Sequence, residues 1–125
     1  MSETDSKQAA RRTGPALEAA YRFLLWLIPT LEGLPRTQKF LLGDRIQQGA
    51  MMVLECLIDA TYSRDRRAAL QQANLQLEKL RLLLRLTFDL KYLDMRRYEH
   101  AARELDQLGR LIGGWQKADR AQQGQ

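Results

Sequence analysis

The chain has 125 residues, 20 basic against 15 acidic side chains, a net charge of +5 and 45% hydrophobic residues. That length supports one hydrophobic core and not two, and the apolar share excludes a chain disordered throughout. The longest nearly uncharged apolar stretch, Phe23 to Leu31, falls far short of the roughly 20 residues a bilayer span needs.

Met1 to Gly14 is polar and mixed in charge, without the basic start, apolar centre and cleavage site of a signal peptide. The expectation is a cytoplasmic protein with no membrane partner. It divides into a disordered N-terminal tail over residues 1–14, a helical domain over 15–117 and a disordered C-terminal tail over 118–125. Cys56 is the only cysteine, so no internal disulfide and no cysteine-based metal site forms; its apolar surroundings suggest a small buried hydrophobe.

Sparse punctuation marks four long segments, each with helical periodicity. The first helix is expected from Pro15, a residue suited to a first turn, through Ala19, Ala20, Phe23, Leu24, Leu27 and Ile28, with Pro29 ending or kinking it. The second runs from near Pro35 to about Tyr62, with Gly43, Ile46, Ala50, Val53, Leu57 and Ala60 forming a coiled-coil-like seam. The third starts at an Asp65 N-cap and reaches Leu90. The fourth starts at an Asp94 N-cap and carries Tyr98, Ala102, Leu105, Leu108, Ile112 and Trp115. Gly113-Gly114 offers an earlier end, just before Trp115.

Short loops between long helices favour antiparallel neighbours, hence an all-α, up-down-up-down four-helix bundle. Two helices carry more apolar surface than one stripe needs. The third shows leucines around most of its circumference, apart from a polar strip through Glu78, Arg81, Arg85 and Asp89. The second has an extra apolar edge at Phe40, Met51, Leu54 and Ile58. Such helices have a further surface to bury, which implies self-association. Gly43, Gly49 and Gly109 interrupt helical patterns, which close helix approach would compensate.

Catalytic chemistry finds no foothold, and the expectation is a protein that is not an enzyme. A di-metal bundle needs carboxylates and Glu-x-x-His pairs, but His100, the only histidine, directly follows Glu99. A lone histidine on a charged helix face is more often solvated than a haem ligand, so no cofactor and no metal is expected. No Gly-rich phosphate loop is present, and Ser2, Ser6 and Ser63 are terminal or in a loop.

The charge is unevenly placed. Residues 64–97 hold nine basic side chains against four acidic ones, which accounts for the entire net charge of +5. These nine, Arg64, Arg66, Arg67, Lys79, Arg81, Arg85, Lys91, Arg96 and Arg97, are the candidate binding residues. Arginine dominates, and its planar fork suits phosphate. An antiparallel hairpin of helices three and four would place basic groups at both of its ends, with Arg81 and Arg85 between. Two readings stand open here: a nucleic-acid surface, or a solvated surface balanced by Glu78, Asp89 and Asp94. Tyr62, Tyr92 and Tyr98 offer rings for base stacking, although Tyr98 sits at a core position.

Five stretches taken together carry a resemblance: Phe40-Leu41-Leu42-Gly43-Asp44-Arg45-Ile46, Arg81-Leu82-Leu83-Leu84-Arg85-Leu86, Asp89-Leu90-Lys91-Tyr92-Leu93, Tyr98-Glu99-His100 and Gly109-Arg110-Leu111-Ile112-Gly113-Gly114-Trp115. Over about residues 15–117 the chain resembles the accessory variability determinant (Avd) proteins of diversity-generating retroelements. The related four-helix proteins encoded in ribosomal RNA intervening sequences share much of this pattern. The resemblance implies a protomer assembled into a homopentameric barrel. It also implies a reverse transcriptase and nucleic acid, RNA or DNA, as partners in mutagenic copying of a template RNA. It implies no catalytic residues in the accessory protein. The alternative is a structural oligomer of the intervening-sequence type with no retroelement role.

Overall fold

A glycine and a proline open the first helix. The computed structural model describes residues 14–124, and the expected N-terminal tail, Gly14 apart, lies outside that range. Gly14 takes φ 84 at the N-cap position, a conformation that favours glycine, and Pro15 follows in the first turn of α1, Pro15–Leu31. Pro29 does not end this helix. The carbonyl it frees belongs to exposed Leu25, within reach of solvent, while buried Leu31 anchors the last turn. Thr30 Oγ1 also donates to the Trp26 carbonyl at 2.7 Å.

The second helix, α2, runs from Arg36 to Tyr62 but is not uniform. After one α-turn, Arg36–Gln38, residues Lys39–Gly43 form a π-helical turn, and α-helix resumes over Asp44–Tyr62. A π-turn inserts extra residues into the helical count, and here Phe40 and Leu41 end up outside, 70% and 64% exposed. The expected seam of Gly43, Ile46, Ala50, Val53, Leu57 and Ala60 is buried throughout.

Helix α3, Arg66–Asp89, and helix α4, Met95–Gln123, begin where expected. Asp65 accepts the Ala68 N–H at 3.4 Å and Asp94 accepts the Arg97 N–H at 2.8 Å, each filling one of the donor sites a helix start leaves open. Between them lies a Schellman turn: Tyr92 N–H bonds the Thr87 carbonyl at 3.1 Å and Lys91 N–H the Phe88 carbonyl at 2.9 Å. Lys91 occupies the left-handed position, at φ 67, that glycine usually fills.

The expected C-terminal tail from residue 118 is instead helical. Helix α4 passes through Gly113-Gly114 and continues to Gln123, so neither proposed stop holds. Asn74 of α3 donates to Gln116 at 2.8 Å, and buried Asp119 accepts from Gln123 Nε2 at 3.3 Å. These tertiary and side-chain ties extend a helix whose glycines alone would weaken it.

Among the described residues there are four long helices and no strand. Each packs on its chain neighbours, and α4 returns beside α1, which is the up-down-up-down arrangement. The core is a stack of small and branched apolar side chains: Leu27, Ile46, Leu57, Leu70, Leu77, Leu80, Leu105, Leu108 and Ile112 are all under 2% or at 2% exposure.

The helical glycines make a direct test. A Cβ on Gly109 would lie 2.8 Å from the Arg81 guanidinium, whereas a Cβ on Gly114 meets nothing within 4 Å. Gly114→Ala is expected to raise unfolding free energy by up to ~1 kcal/mol through helix propensity. Gly109→Ala is expected to lower it by about 1 kcal/mol, because the charged hydrogen bond it displaces outweighs the same gain. Urea unfolding of both variants checks the opposite signs.

Candidate functional site

The nine basic candidates do not form one patch. Arg64, Arg66 and Arg67 lie at the turn between α2 and α3; Arg64 and Arg67 are exposed and Arg66 is half-buried. Lys91, Arg96 and Arg97 are exposed around the turn between α3 and α4. At about 1.5 Å per residue, the 24 residues of α3 put these groups about 36 Å apart. Lys79 and Arg85 lie between, both exposed, and Arg85 pairs with Asp89 at 3.7 Å.

Arg81 plays a different part from its neighbours. Its guanidinium crosses from α3 to α4, donating to the Leu105 carbonyl at 3.2 Å and approaching Asp106 at 3.5 Å and Glu78 at 3.6 Å. The missing Cβ of Gly109 makes room for it. A cation so engaged ties two helices together and has little left to offer a phosphate. Arg97 is also occupied: its side chain pairs with the Asp94 carboxylate that caps α4.

Of the tyrosines, Tyr62 is 85% exposed beside Arg64, while Tyr92 packs against the core. Tyr98 is half-buried and stacks on Phe88, with ring centroids 4.5 Å apart and planes 6° from parallel. Its ring faces are therefore less available to a base than Tyr62's.

His100 and Trp26, a residue that its local sequence does not single out, meet at the α4 N-terminal end. His100, assigned to a solvated face by its sequence, is half-buried against Trp26 of α1, with ring centroids 4.5 Å apart and tilted by 42°. His100 Nε2 also lies 3.8 Å from Glu104. An open cavity of about 350 Å³ is lined by Trp26, His100, Asp94, Arg96 and Arg97. A larger cavity of about 580 Å³ lies at the α2–α3 turn, but Asp59 and Asp65 line it and no basic side chain does. Cys56 borders that cavity half-buried, less enclosed than its sequence context suggested. Burial, reinforced by Asp59 and Glu55, pushes its thiol above the usual range, which makes it a poor nucleophile at neutral pH.

Among the described residues, no group of three or more His, Cys, Asp and Glu is placed to hold a metal ion. No helix among them is long and apolar enough to cross a membrane. A family model described as bAvd-like matches residues 16–118, most of the helical body. The chain belongs to the bAvd-like family. A search of curated proteins returns no match.

In this bAvd-like chain exposed large apolar side chains recur on three helices, with Tyr21, Leu25 and Ile28 of α1 40–59% exposed. Leu75, Leu82, Leu86 and Leu90 recur along α3, on the side away from buried Leu77, Leu80 and Leu84, and are 47–63% exposed. Lys79 falls in the same stripe. Met51, Met52, Ile58 and Tyr62 are exposed on α2.

Asp94 links the fold to pH at the basic end of the hairpin. The Arg97 backbone N–H it accepts, and then the Arg97 and Arg96 charges, hold its carboxyl below the usual carboxylate range. A carboxyl depressed in the folded state binds its proton more tightly when unfolded. Its stabilisation is therefore complete above about pH 4 and is lost as pH falls below that. Asp94→Asn, which keeps a capping oxygen without the charge, should show a shallower loss of stability on acidification. Thermal melts from pH 6 to pH 2.5 check it, and identical slopes for variant and wild type would contradict the assignment.

Proposed function

We propose that this bAvd-like chain is a non-enzymatic accessory subunit of a diversity-generating retroelement. It holds the reverse transcriptase and the template RNA, or the cDNA copied from it, through basic side chains. Family membership over residues 16–118 carries this reading. The exposed positions of Arg64, Arg67, Lys79, Lys91 and Arg96 support it, since none of them has an ion-pair partner within 4 Å among the described residues. In the homopentameric barrel that the family implies, such groups repeat around the assembly, and weak phosphate contacts multiply. The exposed leucines of α3 supply the apolar surface for that assembly.

A second reading is a structural oligomer of the intervening-sequence type without a retroelement role. It is favoured by the pairing of Arg81, Arg85 and Arg97 with carboxylates of the same chain, which draws part of the charge inward. The two readings part on salt-dependent affinity for RNA.

The triple variant Arg64→Glu, Arg67→Glu and Lys91→Glu targets three unpaired cations at the two ends of the hairpin. It should lose RNA binding at physiological salt. A milder Arg→Gln and Lys→Gln version should lower the slope of log affinity against log salt by about 2–3. Circular dichroism and assembly mass should stay unchanged. RNA affinity and reverse-transcriptase capture equal to wild type would reject the assignment. A wild-type protein that captures neither at low salt would leave the structural-oligomer reading.

A further inference from the structure

We propose that the cavity bounded by Trp26, His100, Arg96 and Arg97 is a seat for one unpaired base of single-stranded nucleic acid and its phosphate. The inference rests on the nucleic-acid reading above and assigns it a specific place. Trp26 comes from α1 and His100 from α4, and their rings meet 4.5 Å apart at 42°, so the two helices together hold an aromatic corner that neither has alone. The indole also packs on Phe23, with ring centroids 5.8 Å apart, so the ring surface left to a base is the part of the half-buried indole and imidazole that lines the open cavity, and stacking on an aromatic face accepts any base.

The charge beside the corner has the matching sign and arrangement. Arg97 is held by Asp94, and that pairing also satisfies the Asp94 carboxylate, which would otherwise repel a phosphate. Arg96 lines the same cavity, is exposed, and has no ion-pair partner within 4 Å among the described residues. It is the group free to take a phosphate oxygen. The cavity, about 350 Å³, lies at the small end of the roughly 300–1,000 Å³ range of ligand pockets. A paired base has both faces covered by its neighbours in the duplex and does not enter such a corner, so the seat selects single strands.

Tryptophan fluorescence reads the seat directly. The chain has two tryptophans, so Trp115→Phe leaves Trp26 as the only indole. Titration with 12-nucleotide RNA and DNA single strands should quench Trp26 in a saturable, salt-sensitive manner, and the matching duplex should not. Quenching by both strands supports recognition of base and phosphate; quenching by RNA alone supports the seat with the 2′-hydroxyl read in addition. In the otherwise unaltered protein, Arg96→Ala should weaken a fluorescently labelled single strand about tenfold, and Trp26→Leu by tenfold or more.

Anisotropy of the labelled strand separates the two possible failures. Binding that persists without Trp26 quenching, or with unchanged affinity in Arg96→Ala, overturns the seat and leaves the proposed function standing. No anisotropy change with either strand overturns both. Equal quenching by duplex, or loss of reverse-transcriptase capture in Trp26→Leu with RNA affinity intact, assigns the cavity to something other than an unpaired base and overturns the proposal.

Discussion

Each helix of a four-helix bundle turns one stripe towards the shared core, and α3 carries two. Leu70, Ala73, Leu77, Leu80 and Leu84 fill the inner stripe, while Leu75, Leu82, Leu86 and Leu90 line the opposite side at about half exposure. Complete burial of a leucine is worth about 1.5–3 kcal/mol, so the outer stripe withholds several kcal/mol from the protomer. That unspent surface conditions the rest of the molecule. It holds the outer side of α3 apolar, with Lys79 as the one cation within the stripe, and the other exposed charge of α3 lies on the strip holding Glu78, Arg85 and Asp89 and at the helix's start.

The turns then decide which charges stay free. Both α3 and α4 start on aspartate caps, and the same carboxylate that caps α4 binds Arg97. The Schellman turn that closes α3 puts Lys91 in a left-handed conformation, at an energetic disadvantage that glycine would avoid. Inside the hairpin, Gly109 and Arg81 are one device: a helix gives up a side chain so that a guanidinium reaches across to a backbone carbonyl. Local folding requirements thus remove Arg81 and engage Arg85 and Arg97, and leave Arg64, Arg67, Lys79, Lys91 and Arg96 without an ion-pair partner among the described residues.

Features set by one helix's own periodicity were legible in the sequence. The seam from Gly43 to Ala60, both aspartate caps and the glycine–proline start of α1 follow from spacing and residue type, and the structure has each of them. The features that depend on a second helix were not. Nothing local distinguishes Arg81 from Arg85 along the polar strip of α3; the difference is the gap opened by Gly109 on α4. His100 reads as a solvated residue until α1 brings Trp26 to it from 74 positions away in the chain. The π-turn at Lys39–Gly43 and the continuation of α4 past its glycine pair are likewise outcomes of packing, not of propensity. The four-helix fold was already legible from periodicity and short loops, whereas the family was legible only from the motifs taken together.

The most direct test of the account is the mass of the protein in solution, by light scattering at low and at raised salt. An assembly closed by the outer stripe of α3 should hold a multiple of the 14.5 kDa chain mass at both salts, because apolar burial is not screened by ions. A 14.5 kDa species at micromolar concentration in both conditions would mean that the outer stripe is covered by no second copy, and would contradict it.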